Sequence, residues 1–395
     1  LYVRHLSLTD FRNYATAEVA LEPGPNLFVG RNGQGKTNLV ESLGYLATLS
    51  SHRVSTDQAL IRAGQDAAIV RARLEHDGRE LLVELQLNRS AANRAQVNRA
   101  AIKPRELPRY LSTVLFAPED LALIRGEPST RRRFVDALLG QRSPRLLGVF
   151  SDYERVLKQR NALLKSARAS GLKDAKLSTL ELWNERLVEL GTEIIAERLA
   201  IVEALGPFVR DAYQAVAGSE QEPTLELVLS ILAERPGDDE EPGVQADAPR
   251  ASGTRALPSR AELADAFRAA LEKVARAERD RGITLVGPHR DDVLFRLNGL
   301  PAKGYASHGE SWSFALALKL ACAELLRAES STGDPIVILD DVFAELDQGR
   351  RGRLADAVKD YEQVLITAAV YDDVPEELTA HTVRIQAGTI VEEFS

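Results

Sequence analysis

The period of apolar positions changes twice along this chain. Residues 1–8, 17–21 and 26–29 read as strands separated by turns. Residues 37–46 have helical composition and follow a glycine-rich stretch, which places that stretch between a strand and a helix. Strand-like segments continue at 68–74, 81–87 and 113–116, with Asp77-Gly78 as the turn signal between the first two. From about Pro118 the period becomes that of amphipathic helices, at 130–139, 144–169, 177–204 and 206–217. Leu180, Trp183, Leu187, Leu190 and Ile194 recur three or four apart, as one apolar helix face requires. Two long helices joined near Ala169-Ser170-Gly171 predict an antiparallel hairpin.

Residues 235–257 are rich in Pro, Gly, Asp, Glu and Ala without apolar periodicity, which predicts a mobile insertion; helical patterning resumes at 260–279. Strands return at 283–286 and 293–297, followed by a helix at 312–327, a buried strand at 335–339, a helix at 349–359 and strands at 363–367 and 381–386. The fold class expected is therefore α/β, with residues 1–117 and 283–395 forming one domain in two parts and 118–282 an inserted, mostly α-helical domain carrying the acidic segment at about 234–257.

Composition narrows this little. No apolar stretch approaches the ~20 residues of a membrane span, and Leu1 to His5 lack the charged-then-apolar order of a signal peptide, so the expected location is the cytoplasm. The single cysteine, Cys322, lies in an apolar run and is expected to pack as a small hydrophobe. The net charge of -8 argues at first against a nucleic-acid partner. Nine acids against one base fall between Glu220 and Pro249, however, which leaves 49 of each sign in the rest of the chain. A neutral body can carry a basic face, so composition leaves DNA open.

The chemistry is more specific. Gly30-Arg31-Asn32-Gly33-Gln34-Gly35-Lys36-Thr37 fits G-x-x-x-x-G-K-[ST] in the strand-loop-helix context that a phosphate-binding loop needs. Its glycines let backbone N–H groups approach phosphates, Lys36 reaches the β/γ-phosphates and the Thr37 hydroxyl ligates Mg²⁺; ATP and Mg²⁺ are the expected cofactors. Residues 335–341 are an apolar run ending in Asp340-Asp341, a buried strand presenting carboxylates at its edge. Asp340 would hold the Mg²⁺ shell, and Asp341 would orient or deprotonate the attacking water. Ser307-His308-Gly309-Glu310 opens the helix at 312–327, either as a helix cap or as a further anion site.

The order of phosphate loop, Ser-x-Gly-Glu, hydrophobic-Asp-Asp and Leu346-Asp347 resembles ABC-type ATPases. Within that class, Phe11-Arg12-Asn13-Tyr14, the loop continuing through Asn38 to Glu41-Ser42, residues 116–120, 132–136, 157–161 and 287–292, and Asp340 to Asp347 are similar to the RecF family. That resemblance implies an SMC-like ABC head in which a short helical hairpin replaces the long coiled coil. It implies ATP-driven head-to-tail homodimerisation, with Ser307, Gly309 and Glu310 completing the ATP site of the opposite subunit and Asp347 in the D-loop. It also implies non-sequence-specific binding of single- and double-stranded, gapped or junction DNA, slow DNA-stimulated ATP hydrolysis, and action with RecO and RecR to help load RecA. This chain departs from the family in two places: Glu310 stands where the family usually has glutamine, with Ser307 and Gly309 retained, and the acidic insertion Glu234 to Pro249 is peculiar to this chain and is expected to have no role in catalysis.

Other candidates follow from the same resemblance. Arg12 and Asn13 correspond to residues beside nucleotide in SMC-like heads, or to a solvated loop. Thr367 ends a strand where a γ-phosphate switch is expected, or simply terminates it. Residues 288–292 read as a polar turn. For DNA, the insertion offers Arg131, Arg132, Arg133, Arg155, Lys158, Arg160 and Lys165, of which Arg155, Lys158 and Lys165 suit one helical stripe. The alternative, the ATPase subunit of a membrane transporter, shares the motif order but keeps its motifs much closer than Lys36 and Asp340 stand here.

Overall fold

A computed structural model of the chain describes residues 1–54, 56–170, 177–218, 221–233, 257–330 and 332–394. The acidic insertion, up to residue 256, and the Gly171 end of the helical hairpin turn lie outside the described residues. The chain divides into two units: Leu1–Ile124, Pro207–Gln221 and Ser307–Ser395 form the first, Arg125–Gly206 and Glu222–Ala306 the second.

The first unit opens with β1 (Tyr2–Phe11), β2 (Tyr14–Ala20), β3 (Gly24–Val29) and α1 (Lys36–Thr48), then β4 (Ala67–His76), β5 (Arg79–Asn88), β6 (Arg94–Val97), β7 (Ala100–Ile102) and β8 (Thr113–Phe116). Six of these strands make an antiparallel sheet in the order β2-β1-β4-β5-β6-β7. Its strands bury alternate residues: Ala68, Val70, Ala72 and Leu74 of β4 face Val83, Leu85 and Leu87 of β5 in one core. A register shift between Val3 and His5 lets both Val3 and Leu6 face inward on β1.

The second unit begins within the short α2 (Leu121–Arg125) and continues as α3 (Pro128–Arg142), α4 (Leu146–Ser170), the first part of α5 (Leu177–Ala217), β9 (Pro223–Val228), α6 (Arg260–Arg281), β10 (Asp292–Leu297), β11 (Leu300–Pro301) and the turn α7 (Ala302–Tyr305). The two helices expected at 177–204 and 206–217 are one, although Pro207 lies inside it. Leu205, Val209, Tyr213 and Val216 continue the buried face, and that continuous burial outweighs one missing backbone hydrogen bond.

Residues 283–306 group with this unit, whereas the sequence assigns them to the α/β domain. The sequence also predicts a strand at 283–286, and the structure has none there. Side chains take the place of a ladder. Asn161 Oδ1 accepts from Thr284 N at 2.7 Å, Glu278 Oε1 from Leu285 N at 2.8 Å and Ser230 Oγ from Gly287 N at 2.9 Å.

Residues 288–292, expected to be a polar turn, are instead part of a buried hub. Arg131 donates to both Asp292 oxygens at 2.8 and 2.7 Å, and Arg132 to the Asp291 carbonyl at 2.7 Å. Arg198 donates to the Pro288 carbonyl at 2.6 Å while gripping Asp136. Asp291 accepts from Ser230 N and Oγ, and burial pushes its carboxyl up to about 6. Burial pushes His289, bonded to the Tyr153 hydroxyl, down to about 3, so it stays neutral.

These contacts revise the candidate DNA residues. Arg131 is buried against Asp292, and Arg160 is buried against Glu278 at 2.5 Å with Asn184 and Thr284 completing its bonds, so neither guanidinium is presented to solvent. Arg132 is half-buried. Arg133, Arg155, Lys158 and Lys165 are exposed, with Arg155 paired to Asp152. Helical periodicity gives the phase of a face, and it does not reveal which cations meet an acid on a neighbouring element.

The chain completes the first unit with α8 (His308–Glu329), β12 (Ile336–Asp340), α9 (Gln348–Val358), β13 (Gln363–Ala368), β14 (His381–Gln386) and β15 (Thr389–Phe394). A second sheet runs β15-β14-β3-β13-β12-β8, in which β14, β3, β13, β12 and β8 are parallel. Every residue of β12 and β13 is buried, as strands covered on both faces must be. Cys322 packs inside α8, as its apolar setting predicts.

Candidate functional site

Parallel strands deliver their carboxyl ends to one edge, where open α/β sheets bind ligands. That edge of the first unit receives the glycine loop after β3, Asp340 at the end of β12 with Asp341 following it, Thr367 near the end of β13 and Glu119 after β8. Local folding of the loop follows from its glycines. Gly35 takes φ +115° and caps α1 without a side-chain bond, and no acid occupies the first turn of that helix. The N-terminal amides of α1 therefore face no competing carboxylate from their own helix. A Cβ on Gly30 would stand 2.3 Å from the Ile385 carbonyl oxygen, which excludes a side chain there, and at Gly35 the positive φ strains any other residue.

Neighbouring turns clasp the loop. Asn13 donates to the Gln34 carbonyl at 3.4 Å and accepts from Asn38 at 2.8 Å, while the Tyr14 hydroxyl donates to the Gly35 carbonyl at 3.1 Å. The Ala387 and Gly388 amides bind the side-chain and backbone oxygens of Gln34. Arg31, Asn32 and Gly33 remain exposed at the tip. The sequence shows Asn13 and Asn38 as candidates and carries Tyr14 within the Phe11-Arg12-Asn13-Tyr14 motif, but gives no signal for the β14–β15 turn.

Lys36 is only 3% exposed; its Nζ donates to the Gly30 carbonyl at 2.8 Å and lies 3.9 Å from Asp341 Oδ1. Asp340 Oδ1 accepts the Thr37 hydroxyl at 3.0 Å and the Thr367 hydroxyl at 2.6 Å. Burial pushes the Asp340 carboxyl up to about 6 against those two hydrogen bonds. Asp341 is raised as well, by burial first, with Lys36 opposing and Glu119 adding to the rise. Its backbone takes φ +51° and its N–H donates to the Thr367 hydroxyl at 2.9 Å, so Thr367 holds both acids.

These groups fit a magnesium nucleotide. Asp341 Oδ1 is buried with no hydrogen bond, a buried lysine faces it, and Asp340 and Thr37 supply hard oxygen ligands. No cluster of three metal-ligating side chains exists among the described residues. A carboxylate and a hydroxyl beside a phosphate loop suit Mg²⁺, which is usually held by one or two carboxylates plus phosphate oxygens.

Two further candidates are placed less simply. Arg12, at φ +54°, grips buried Glu41 with two bonds at 2.9 and 2.7 Å, and Ser51 adds a third to the same carboxylate. Its guanidinium is thus tied to α1 rather than left as a solvated loop cation. Ser307 caps α8: Glu310 N donates to its hydroxyl at 3.2 Å, and Glu310 accepts the Ser307 amide at 2.7 Å, a reciprocal capping box. The other Glu310 oxygen takes Gln221 Nε2 at 2.5 Å, and Gln221 accepts the Tyr213 hydroxyl at 2.6 Å. These donors hold the Glu310 carboxyl below its ordinary range.

Gly309 is covered by Arg350, whose Nη2 would lie 2.8 Å from a Cβ there. Arg350 also pairs with Asp347, which caps α9. The expected signature and D-loop residues are therefore linked through an arginine the sequence does not single out.

Residues 2–389 match the family model described as RecF/RecN/SMC N terminal domain. The chain is 66% identical over 390 residues to a protein of Leifsonia xyli subsp. xyli named DNA replication and repair protein RecF, covering 99% of both chains. A Streptomyces avermitilis protein of the same name is 51% identical, again over 99% of both. A solved structure of the recombination mediator protein RecF with ATP in the RecFOR pathway superposes with a TM-score of 0.85 at 25% identity, covering 100% of this chain and 98% of that one. An Smc head bound to the C-terminal winged-helix domain of ScpA shares the fold alone, with a TM-score of 0.53 at 15% identity.

Proposed function

The chain belongs to the RecF family within the RecF/RecN/SMC N-terminal domain group, and from that premise we propose that it is an ATP-dependent DNA-binding protein of recombinational repair, switched by head-to-tail dimerisation. The observation that carries the proposal is the meeting of Lys36, Thr37, Asp340, Asp341 and Thr367 at one sheet edge in the unit that also presents Ser307 and Gly309. RecO and RecR are the partners this reading supplies, with RecA served indirectly; the pathway named for the ATP-bound structural relative supports it. The transporter reading is set aside because relatives named for DNA repair match 99% of the chain. No helix among the described residues is long and apolar enough to cross a membrane.

Bound ATP–Mg²⁺ would supply the phosphoanhydride and the charge that these side chains answer. Lys36, with the α1 amides, would bind the β/γ-phosphates, and Thr37 and Asp340 would hold the metal. Asp341 holds the attacking water and takes its proton at Oδ1; burial makes it a stronger base than an exposed aspartate. Thr367 keeps the two acids in register through its hydroxyl and backbone. Ser307 and Gly309 of a second copy close over the phosphates, while Arg12 and Asn13 brace the loop. Hydrolysis then releases the dimer, and the exposed Arg133, Arg155, Lys158 and Lys165 are available to DNA phosphates.

Asp340→Asn is expected to retain nucleotide binding but to lower steady-state phosphate release about a hundredfold or more, since metal-assisted charge stabilisation is worth several kcal/mol. Turnover near the wild-type rate would remove Asp340 from the metal shell. Ser307→Arg is expected to bind labelled ATP normally yet remain monomeric in a gel-filtration run with ATP–Mg²⁺, because its cation and bulk would enter the partner's phosphate site. A dimer formed by this variant would eliminate completion in trans.

A further inference from the structure

The helical insertion is the expected DNA face, yet a second run of positive charge lies outside it, in the first unit. Residues 89–109 contain six bases against one acid, Glu106. Arg94, Arg99, Lys103, Arg105 and Arg109 are all exposed, and none has an ion-pair or hydrogen-bonding side-chain partner among the described residues.

Their placement is fixed by a small hairpin. β6 and β7 pair antiparallel with Val97 opposite Ala100, and the connecting Asn98 and Arg99 both take positive φ, at +49° and +68°. Ala95 and Val97 point into the core, which sends Arg94 to the opposite face of β6. Across the ladder Arg94 meets Gln86, and the nearby Glu84 is already bound to Arg71. Lys103, Arg105 and Arg109 then flank the 3-10 turn Pro104–Arg109, whose Leu107 anchors it in the same core.

We propose that the β6–β7 hairpin and the turn after it form a phosphate-binding surface for nucleic acid on the first unit. The proposal rests on the DNA-binding reading and deepens it by naming a surface. Charged residues on edge strands also deter unwanted sheet pairing, but that device places charge on the edge strand, and β7 is Ala100-Ala101-Ile102. An anionic membrane would attract the same cations, yet surface-bound segments also insert apolar side chains, and none of the large exposed apolar residues falls between 89 and 109. At about 3.3 Å per residue the hairpin is roughly 15 Å long, enough to follow several phosphates of one strand without reading bases.

The test is a fluorescence-anisotropy titration, with ATP–Mg²⁺ present, of a labelled 30-nucleotide single strand and a gapped duplex at several salt concentrations. The proteins compared are wild type, Arg94→Ala/Arg99→Ala/Arg105→Ala and Arg94→Glu/Arg99→Glu. Unchanged thermal unfolding and ATP affinity would show that each variant folds.

The triple variant is expected to lose about tenfold or more in affinity near 0.1 M salt, and its plot of log K against log salt should flatten by about two to three, the slope of three lost phosphate contacts. Wild-type affinity and slope in both variants would overturn the hairpin proposal while leaving DNA binding itself intact. Absence of DNA binding by the wild type would overturn both. Phosphatidylserine vesicles that bind the wild type as tightly as DNA, and lose binding in the same variants, would overturn nucleic acid as the partner.

Discussion

Lys36→Ala is expected to abolish ATP-induced self-association and to weaken nucleotide binding between about tenfold and a hundredfold. The lysine contributes a charge-assisted hydrogen bond of about 1.5–3 kcal/mol to a phosphate oxygen. It also stands 3.9 Å from Asp341 and is 3% exposed, so its removal leaves a half-buried carboxylate facing the incoming phosphates with no cation between them. Both effects act in one direction. Titration with a fluorescent ATP analogue reads the first consequence, and light scattering with ATP–Mg²⁺ reads the second. Affinity within about threefold of wild type would show that the loop holds phosphate by its amides alone.

The second large effect concerns folding. Arg160 and Glu278 are 2% and 1% exposed, and the same guanidinium also serves Asn184 and Thr284. Arg160→Ala would strand the Glu278 carboxylate inside the second unit and leave two further acceptors without their donor. Breaking one side of a buried pair costs about 3–5 kcal/mol, a large part of a domain's stability of about 5–15 kcal/mol. A calorimetric scan is expected to show the second unit melting many degrees earlier. The double variant Arg160→Met/Glu278→Leu should recover part of the loss, because the charge itself is then gone. A melting temperature unchanged in Arg160→Ala would return this arginine to the candidates for DNA contact.

What the sequence made legible depends on how local the signal is. The phosphate loop, Asp340-Asp341 on a buried strand and the Ser307 cap are each set by a few consecutive residues, and the structure places them in the elements expected. The acids meet the loop because β12 and β3 flank β13 in parallel, which no single segment encodes. Tyr14, the Gln34 clasp and the Arg12–Glu41 pair depend on contacts between distant turns, so spacing could not show them.

The misplacements have the same origin. Residues 283–286 carry the composition of a strand, yet Asn161, Glu278 and Ser230 supply the partners that a neighbouring strand would have given. Arg131 and Arg160 carry the composition of a solvated face, but acids on β10 and α6 meet them inside the unit. The basic hairpin and turn at 94–109 carry no periodic signal in the sequence, because the strands are only four and three residues long.

If the phosphate loop is half of a site completed by a second copy, self-association must follow the bound nucleotide, and sedimentation velocity with saturating ATP–Mg²⁺ reads that dependence. The wild-type chain should move from the monomer coefficient to that of a dimer, and return to monomer when ADP replaces ATP. A sedimentation profile that stays monomeric in saturating ATP–Mg²⁺ would contradict it.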